Sequence, residues 1–245
     1  MCSRTLRLFC GAGVAGYCLA TSIASAQVIA AIPELGGPRI TQASTGAVSG
    51  GSAGTASSSG SAWSGTLPQT DAMNTLQSES YGAASIAAAT ADGVNPATLA
   101  AFGQVESHFR NVGNSSSSAN GVWQITSGTW DDTVKAYGLP YSEADRSDPV
   151  AQADVASHII SQYSNAVSAR TGEPATTLQT YGAYMFGPTA GSRMAAEGKP
   201  DTPLSAYVST KALANNGMSN WTVGQYYQTM AARMGSGAST TVRSA

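Results

Sequence analysis

Apolar residues recur along the middle of this chain at steps of three and four, the spacing that gathers them on one face of a helix. No stretch alternates as a half-buried strand would, and no fixed-period repeat is present. Asp71 or Asn74 opens a first expected helix that runs through an alanine-rich segment to Ala91, with Asp92-Gly93 as its stop. Asn95 as N-cap and Pro96 at the first helical position start a second. In it Leu99, Phe102, Glu106 and Phe109 follow at steps of three, four and three, which predicts one stripe of three large apolar residues and a carboxylate. After a serine-rich turn come a short extended piece from Val122 to Ile125 and a helix from about Ser127 to Tyr137. Asp148 and Pro149 open the clearest helix, where Val155, Ile159, Tyr163 and Ala166 keep helical spacing and Gly172 supplies the stop. Thr176 to Phe186 reads as another helix, and Thr222 with Gln225 makes a capping box for a last one ending at Met234. The expected fold is mainly α, one helical domain over residues 70–234 with at most a short β-like segment.

The ends of the chain read differently. Arg4 and Arg7 precede a mostly apolar run, and Ala24-Ser25-Ala26 stands before Gln27, the pattern of a secretory signal peptide over residues 1–26. Its glycines and its length favour removal over a stable membrane span. Residues 27–69 are rich in Gly, Ser, Ala and Thr and carry too little apolar surface to offset the entropy of ordering them, so they are read as a flexible linker. Trp63 or the stretch from Val28 to Pro38 is the part of it able to dock on the domain. The composition of residues 235–245 leads to the expectation of a disordered tail. Export places the protein in the periplasm or outside the cell.

Cysteine and charge narrow the chemistry. Cys2, Cys10 and Cys18 all lie in the leader, so the processed chain has no disulfide and no thiolate zinc site. With only His108 and His158 besides, no metal site and no cofactor is expected. Setting the leader's two arginines aside leaves ten basic against fourteen acidic residues with no basic cluster, which disfavours nucleic acid as a partner. A monomer is expected.

Glu106 is the residue whose setting needs explanation. On an apolar helix face its charged form loses hydration, and in a last helical turn it meets the negative end of the helix dipole. Both raise its pKa, and a carboxylic acid still protonated near neutrality is what general-acid chemistry on a glycosidic oxygen requires. A solvated Glu at a helix end is the competing reading. From Glu106 the chain runs ESHFRNVGNSSSSANGVWQIT, which resembles the signature of the lytic transglycosylases related to goose-type lysozyme. In that family a Glu-Ser pair ends a helix, a Ser follows nine residues after the Glu, and a Gly-Leu-Met-Gln-like turn places a Gln eighteen residues after it. Those positions are Glu106, Ser107, Ser115 and Gln124 here. Downstream, Ala183-Tyr184-Met185-Phe186-Gly187-Pro188 resembles the family's Ala-Tyr-Asn-x-Gly-Pro, with Met185 in place of the Asn. A related branch of virion- and secretion-associated enzymes carries a Tyr three residues before a His in this helix, so either Tyr181 or Tyr184 is placed to face the cleft.

The resemblance implies a lysozyme-like helical domain and a peptidoglycan substrate. It also implies cleavage between N-acetylmuramic acid and N-acetylglucosamine by one carboxyl, Glu106, which leaves 1,6-anhydro ends. Ser107, Ser115, Gln124, Tyr181 and Tyr184 would then orient sugars or hold the acid. Two alternatives stand beside this reading. One is a muramidase using water, with Asp131 or Asp132 as second acid, although adjacent acids in the first turns of a helix ordinarily serve its dipole. The other is an inactive wall-binding component of a secretion apparatus. The role is read as opening gaps in the wall for a secretion or conjugation apparatus, or as turnover of the wall. Trp123 either stacks on a pyranose ring or fills the core, the latter favoured. The serines from Ser115 to Ser118 are either a polar turn or the bearer of a ligand contact at Ser115. His158 reads as a hydrogen-bonded core or boundary residue, and His108 as a solvated neighbour of the cleft.

Overall fold

The computed structural model describes residues 71–243; the expected leader and linker lie outside the described residues. Helices dominate: α1 (Ala72–Ser78), α2 (Gly82–Ala91), α3 (Pro96–Ser107), α4 (Ser127–Tyr137), α5 (Pro149–Thr171), α6 (Thr177–Phe186), α7 (Pro188–Glu197), α8 (Thr210–Asn215) and α9 (Val223–Met234). Single 3-10 turns sit at Glu143–Ser147, Leu204–Ala206 and Gly235–Ser239. Among the described residues β pairing is confined to isolated bridges. The mainly α expectation holds.

Capping chemistry set most of these boundaries. The Asn95 side chain accepts from Ala97 N–H, Asp148 from Val150 N–H, and the boxes at Thr176/Gln179 and Thr222/Gln225 are complete. Four features depart from expectation. The first helix is two, because the chain turns at Glu79–Tyr81; Gly82 there lies so close to α1 that a Cβ would stand 1.9 Å from the Leu76 carbonyl oxygen. Pro188 starts a helix, α7, where no apolar period had marked one. Residues 121–124 form a turn and not an extended piece, with Gln124 in the left-handed region at φ 47°.

The fourth departure is the tail, which over residues 235–243 is packed and not disordered. Ala238 and Val242 are buried, Val242 N–H donates to the Ala175 carbonyl at 3.0 Å, and the Val242 carbonyl accepts from Asn95 N–H at 2.7 Å. Thr177 N–H donates to the Thr240 carbonyl at 2.8 Å. Small residues made this segment look unstructured, yet their size is what lets it lie between the N-terminal ends of α3 and α6.

The helix α3 is buried nearly all round, as a central helix must be. It packs on α1, α2, α5, α6, α9 and the Gly235–Ser239 turn. Its last turn, carrying Glu106, therefore ends inside a wall of helices.

Candidate functional site

Two left-handed residues, His108 at φ 53° and Phe109 at φ 60°, end α3 directly after Glu106 and Ser107. His108 N–H donates to the Gln104 carbonyl and Phe109 N–H to the Gly103 carbonyl, which satisfies the end of the helix. Phe109 thus leaves the helix and does not continue the expected stripe; its buried ring folds back against Gly103.

The Glu106 side chain is buried, 4% exposed. Burial pushes its carboxyl from the ordinary 4.5 up to about 8, and the Tyr181 hydroxyl opposes this more weakly. That hydroxyl is close enough to influence the proton but does not complete a hydrogen bond, and both carboxyl oxygens lack a formed partner. No second carboxyl acts on Glu106 among the described residues. Asp131 and Asp132 are exposed on α4. Burial thus favours the neutral acid at pH 7.

An aromatic cluster gathers on Phe102, one turn before Glu106 on α3. Phe102 meets Tyr181 edge-on at 5.1 Å and Tyr184 at 5.0 Å, and the two tyrosines stack at 6.3 Å. Their hydroxyls divide the work, Tyr181 toward Glu106 and Tyr184 donating to the Trp123 carbonyl at 2.7 Å. Trp123 is core, its Nε1–H donating to the Leu99 carbonyl at 2.9 Å. Sequence reasoning missed Tyr226 of α9. Its hydroxyl is buried without a hydrogen-bond partner, and its own pKa is raised well above the ordinary value, first by burial, then by Tyr227 and Glu106. Only a non-local contact brings Tyr226 to Glu106, so no spacing along the chain marked it.

The turn following α3 is built around amides. Ser107 Oγ donates to the Val122 carbonyl at 2.8 Å. Gln124 Nε2 donates to the carbonyls of Gly121 at 2.7 Å and Val112 at 2.8 Å. Gln152 of α5 accepts from Val122 N–H at 2.7 Å and donates to Asn111 Oδ1 at 3.0 Å and to the Arg146 carbonyl at 2.7 Å. Gly121, at φ 84°, is the close approach that allows this, since a Cβ would fall 2.1 Å from Gln152 Oε1. The buried Arg146 guanidinium donates to the Ser118 and Ile125 carbonyls and pairs with Glu143. Ser107 and Gln124 thus use their polar atoms to position the turn. Ser115 is exposed at its tip, while Ser117 and Ser118 accept from Ala119 and Ser127 N–H groups. Met185 is buried in the core and presents no polar atom in the place of the family's Asn. Asn111, Arg146 and Gln152 carry no motif of their own and were not anticipated.

The chain is similar in structure to an inactive mutant of the lytic transglycosylase Slt from Pseudomonas aeruginosa, at 17% identity and a TM-score of 0.46, over 63% of this chain and 23% of that one. It therefore spans about a quarter of that protein's length. Residues 83–201 match the family model of the transglycosylase SLT domain, a span that runs from α2 past α7 and contains Glu106, the amide-built turn and both tyrosines of α6. Residues 83–201 of this chain are thus a transglycosylase SLT domain.

Proposed function

We propose that the chain is an exported enzyme that cleaves the β-1,4 bond between N-acetylmuramic acid and N-acetylglucosamine in peptidoglycan, leaving 1,6-anhydro ends. The observation that carries this is the buried, neutral Glu106 with no second carboxyl acting on it among the described residues. Glu106 donates its proton to the glycosidic oxygen as the C1–O bond breaks. The acetamido carbonyl of the muramoyl sugar supports the positive centre at C1. Glu106, now a carboxylate, takes the proton of the C6 hydroxyl as O6 bonds to C1. The proton returns to the acid, and no water is consumed. Tyr181 is the protein group that meets Glu106 as it ionises. The carboxyl oxygens are closed off from solvent, so the glycan has to part their surroundings on entry, which also keeps water away from the cation.

Mass spectrometry of products released from purified sacculi tests the reading. Anhydro-muropeptides support it, and reducing ends would show a hydrolase. Glu106→Gln is expected to abolish release while keeping the fold; substantial residual activity in that variant removes Glu106 from the reaction. The wall-binding alternative draws on Met185, and a zymogram on cell walls without a cleared band would favour it. Release into the periplasm, and action for a secretion or conjugation apparatus, belong to the same proposal.

A further inference from the structure

Beside the start of α3, away from Glu106, three side chains that the proposed reaction does not use converge. Asp154 and His158 stand four apart on one face of α5, and Asp92 is the C-cap residue of α2. One ligand-capable atom from each lies within 4.8 Å of the other two. His158 Nε2 is 3.5 Å from Asp92 Oδ1 and 3.8 Å from Asp154 Oδ1. Both exceed the roughly 2.7–3.2 Å of an N–H···O bond. The first falls within the separation of neighbouring ligands around a tetrahedral zinc, about 3.3–3.6 Å for bonds of 2.0–2.2 Å, and the second lies just beyond it.

The surroundings supply what a metal site needs beyond its ligands. Tyr141 donates to Asp154 Oδ2 at 2.8 Å, which fixes that carboxylate and leaves Oδ1 toward His158. The Tyr137 ring stacks on the imidazole at 4.4 Å and sets its plane. Among the described residues Asp92 Oδ2 is buried with no hydrogen-bond partner, an orphan that a cation would satisfy. Arg243 spends its hydrogen bonds elsewhere, on the Asp92 backbone carbonyl at 3.2 Å and Asn165 Oδ1 at 3.0 Å, and its charge acts on the Asp92 carboxylate as the weakest of the neighbouring influences.

We propose that Asp92, Asp154 and His158 form a divalent-cation site that fastens α2 to α5 beside the start of α3. One imidazole and two carboxylates in so small a space match zinc, with water as fourth ligand, better than magnesium or calcium, which take six or more oxygens. The role is structural. Asn95, next to this site, and Glu106 are separated by about 16 Å of helix at 1.5 Å per residue.

The test uses the full chain with Cys2, Cys10 and Cys18 alkylated, so that thiolates cannot hold metal. After exposure to zinc and exhaustive dialysis, elemental analysis is expected to find one zinc per chain, and cobalt in its place gives the visible absorption of a tetrahedral site. His158→Ala and Asp154→Asn lower zinc affinity at least tenfold with helical circular dichroism unchanged, while His108→Ala binds as the wild type does. Wild-type protein that retains no stoichiometric zinc overturns the proposal whatever the variants do, and so does binding that survives His158→Ala.

Discussion

The proton on Glu106 predicts a dependence of stability on pH that is separable from catalysis. The folded chain holds this carboxyl near a pKa of about 8 against an ordinary value of 4.5, so between those values the native state keeps a proton that the unfolded chain has released. Its contribution is full below the unfolded pKa and is lost as pH rises through the folded one. The slope reaches about 1.4 kcal/mol per pH unit, which makes the loss at pH 7 about 3 kcal/mol and the loss above the folded pKa about 5 kcal/mol. Glu106→Gln keeps the shape of the neutral acid and cannot ionise. The variant and the wild type are therefore expected to have similar stability near pH 4.5, with the variant gaining as pH rises.

At about 2–4 °C per kcal/mol for a domain of this size, the variant melts about 6–12 °C above the wild type at pH 7. Thermal and guanidinium unfolding of both proteins at pH 4.5, 7 and 8.5, followed by helical circular dichroism, checks this. Parallel stability profiles, or a variant that falls behind as pH rises, would refute the assignment of a buried neutral acid whatever the activity measurements show.

Three further outcomes are expected. Tyr181 lowers the Glu106 pKa, so Tyr181→Phe raises it, and the alkaline limb of the kcat/KM profile on solubilised glycan moves to higher pH; an unmoved limb separates Tyr181 from the acid. Gln152→Ala strips Val122 N–H of its partner, which costs about 1–3 kcal/mol in guanidinium unfolding and also lowers kcat through a displaced turn. Truncation after Met234 removes the buried Val242 and its backbone bonds to Asn95 and Ala175, a loss of at least about 1.5 kcal/mol from the valine alone; an unchanged melting temperature would mean the segment does not pack in solution.

What the chain displayed openly was local. Asn95-Pro96, Asp148-Pro149 and the boxes at Thr176 and Thr222 are helix starts whose chemistry is complete within four residues, and each begins a helix where expected. Glu106 was legible because its apolar neighbours sit on its own helix. The packed tail was not, since residues 235–243 owe their order to α3 and α6, far away in sequence. Tyr226 escaped for the same reason, and the aspartates and imidazole at Asp92, Asp154 and His158 meet only after α2 has folded against α5. Gln124 and Ser107 were found as positions, but their bonds to the carbonyls of the turn were not, because a spacing does not reveal which way an amide or hydroxyl points.

The remaining question is what holds a neutral acid in place when, among the described residues, only the Tyr181 hydroxyl approaches its oxygens. Among the described residues, the non-glycine positions in the left-handed region are His108, Phe109 and Gln124. Two follow Glu106 directly, and the third lies in the turn tied to Ser107 through Val122. Each such residue costs on the order of 1–3 kcal/mol and persists only where its surroundings over-determine it. Here Gln124, Gln152 and Arg146 do so through bonds to backbone carbonyls and amides, so the strain is held by side chains other than the acid itself. The proton of Glu106 depends on burial, burial depends on where this turn lies, and the turn depends on those three side chains. Substitutions along it should therefore change the acidity of Glu106 without touching it.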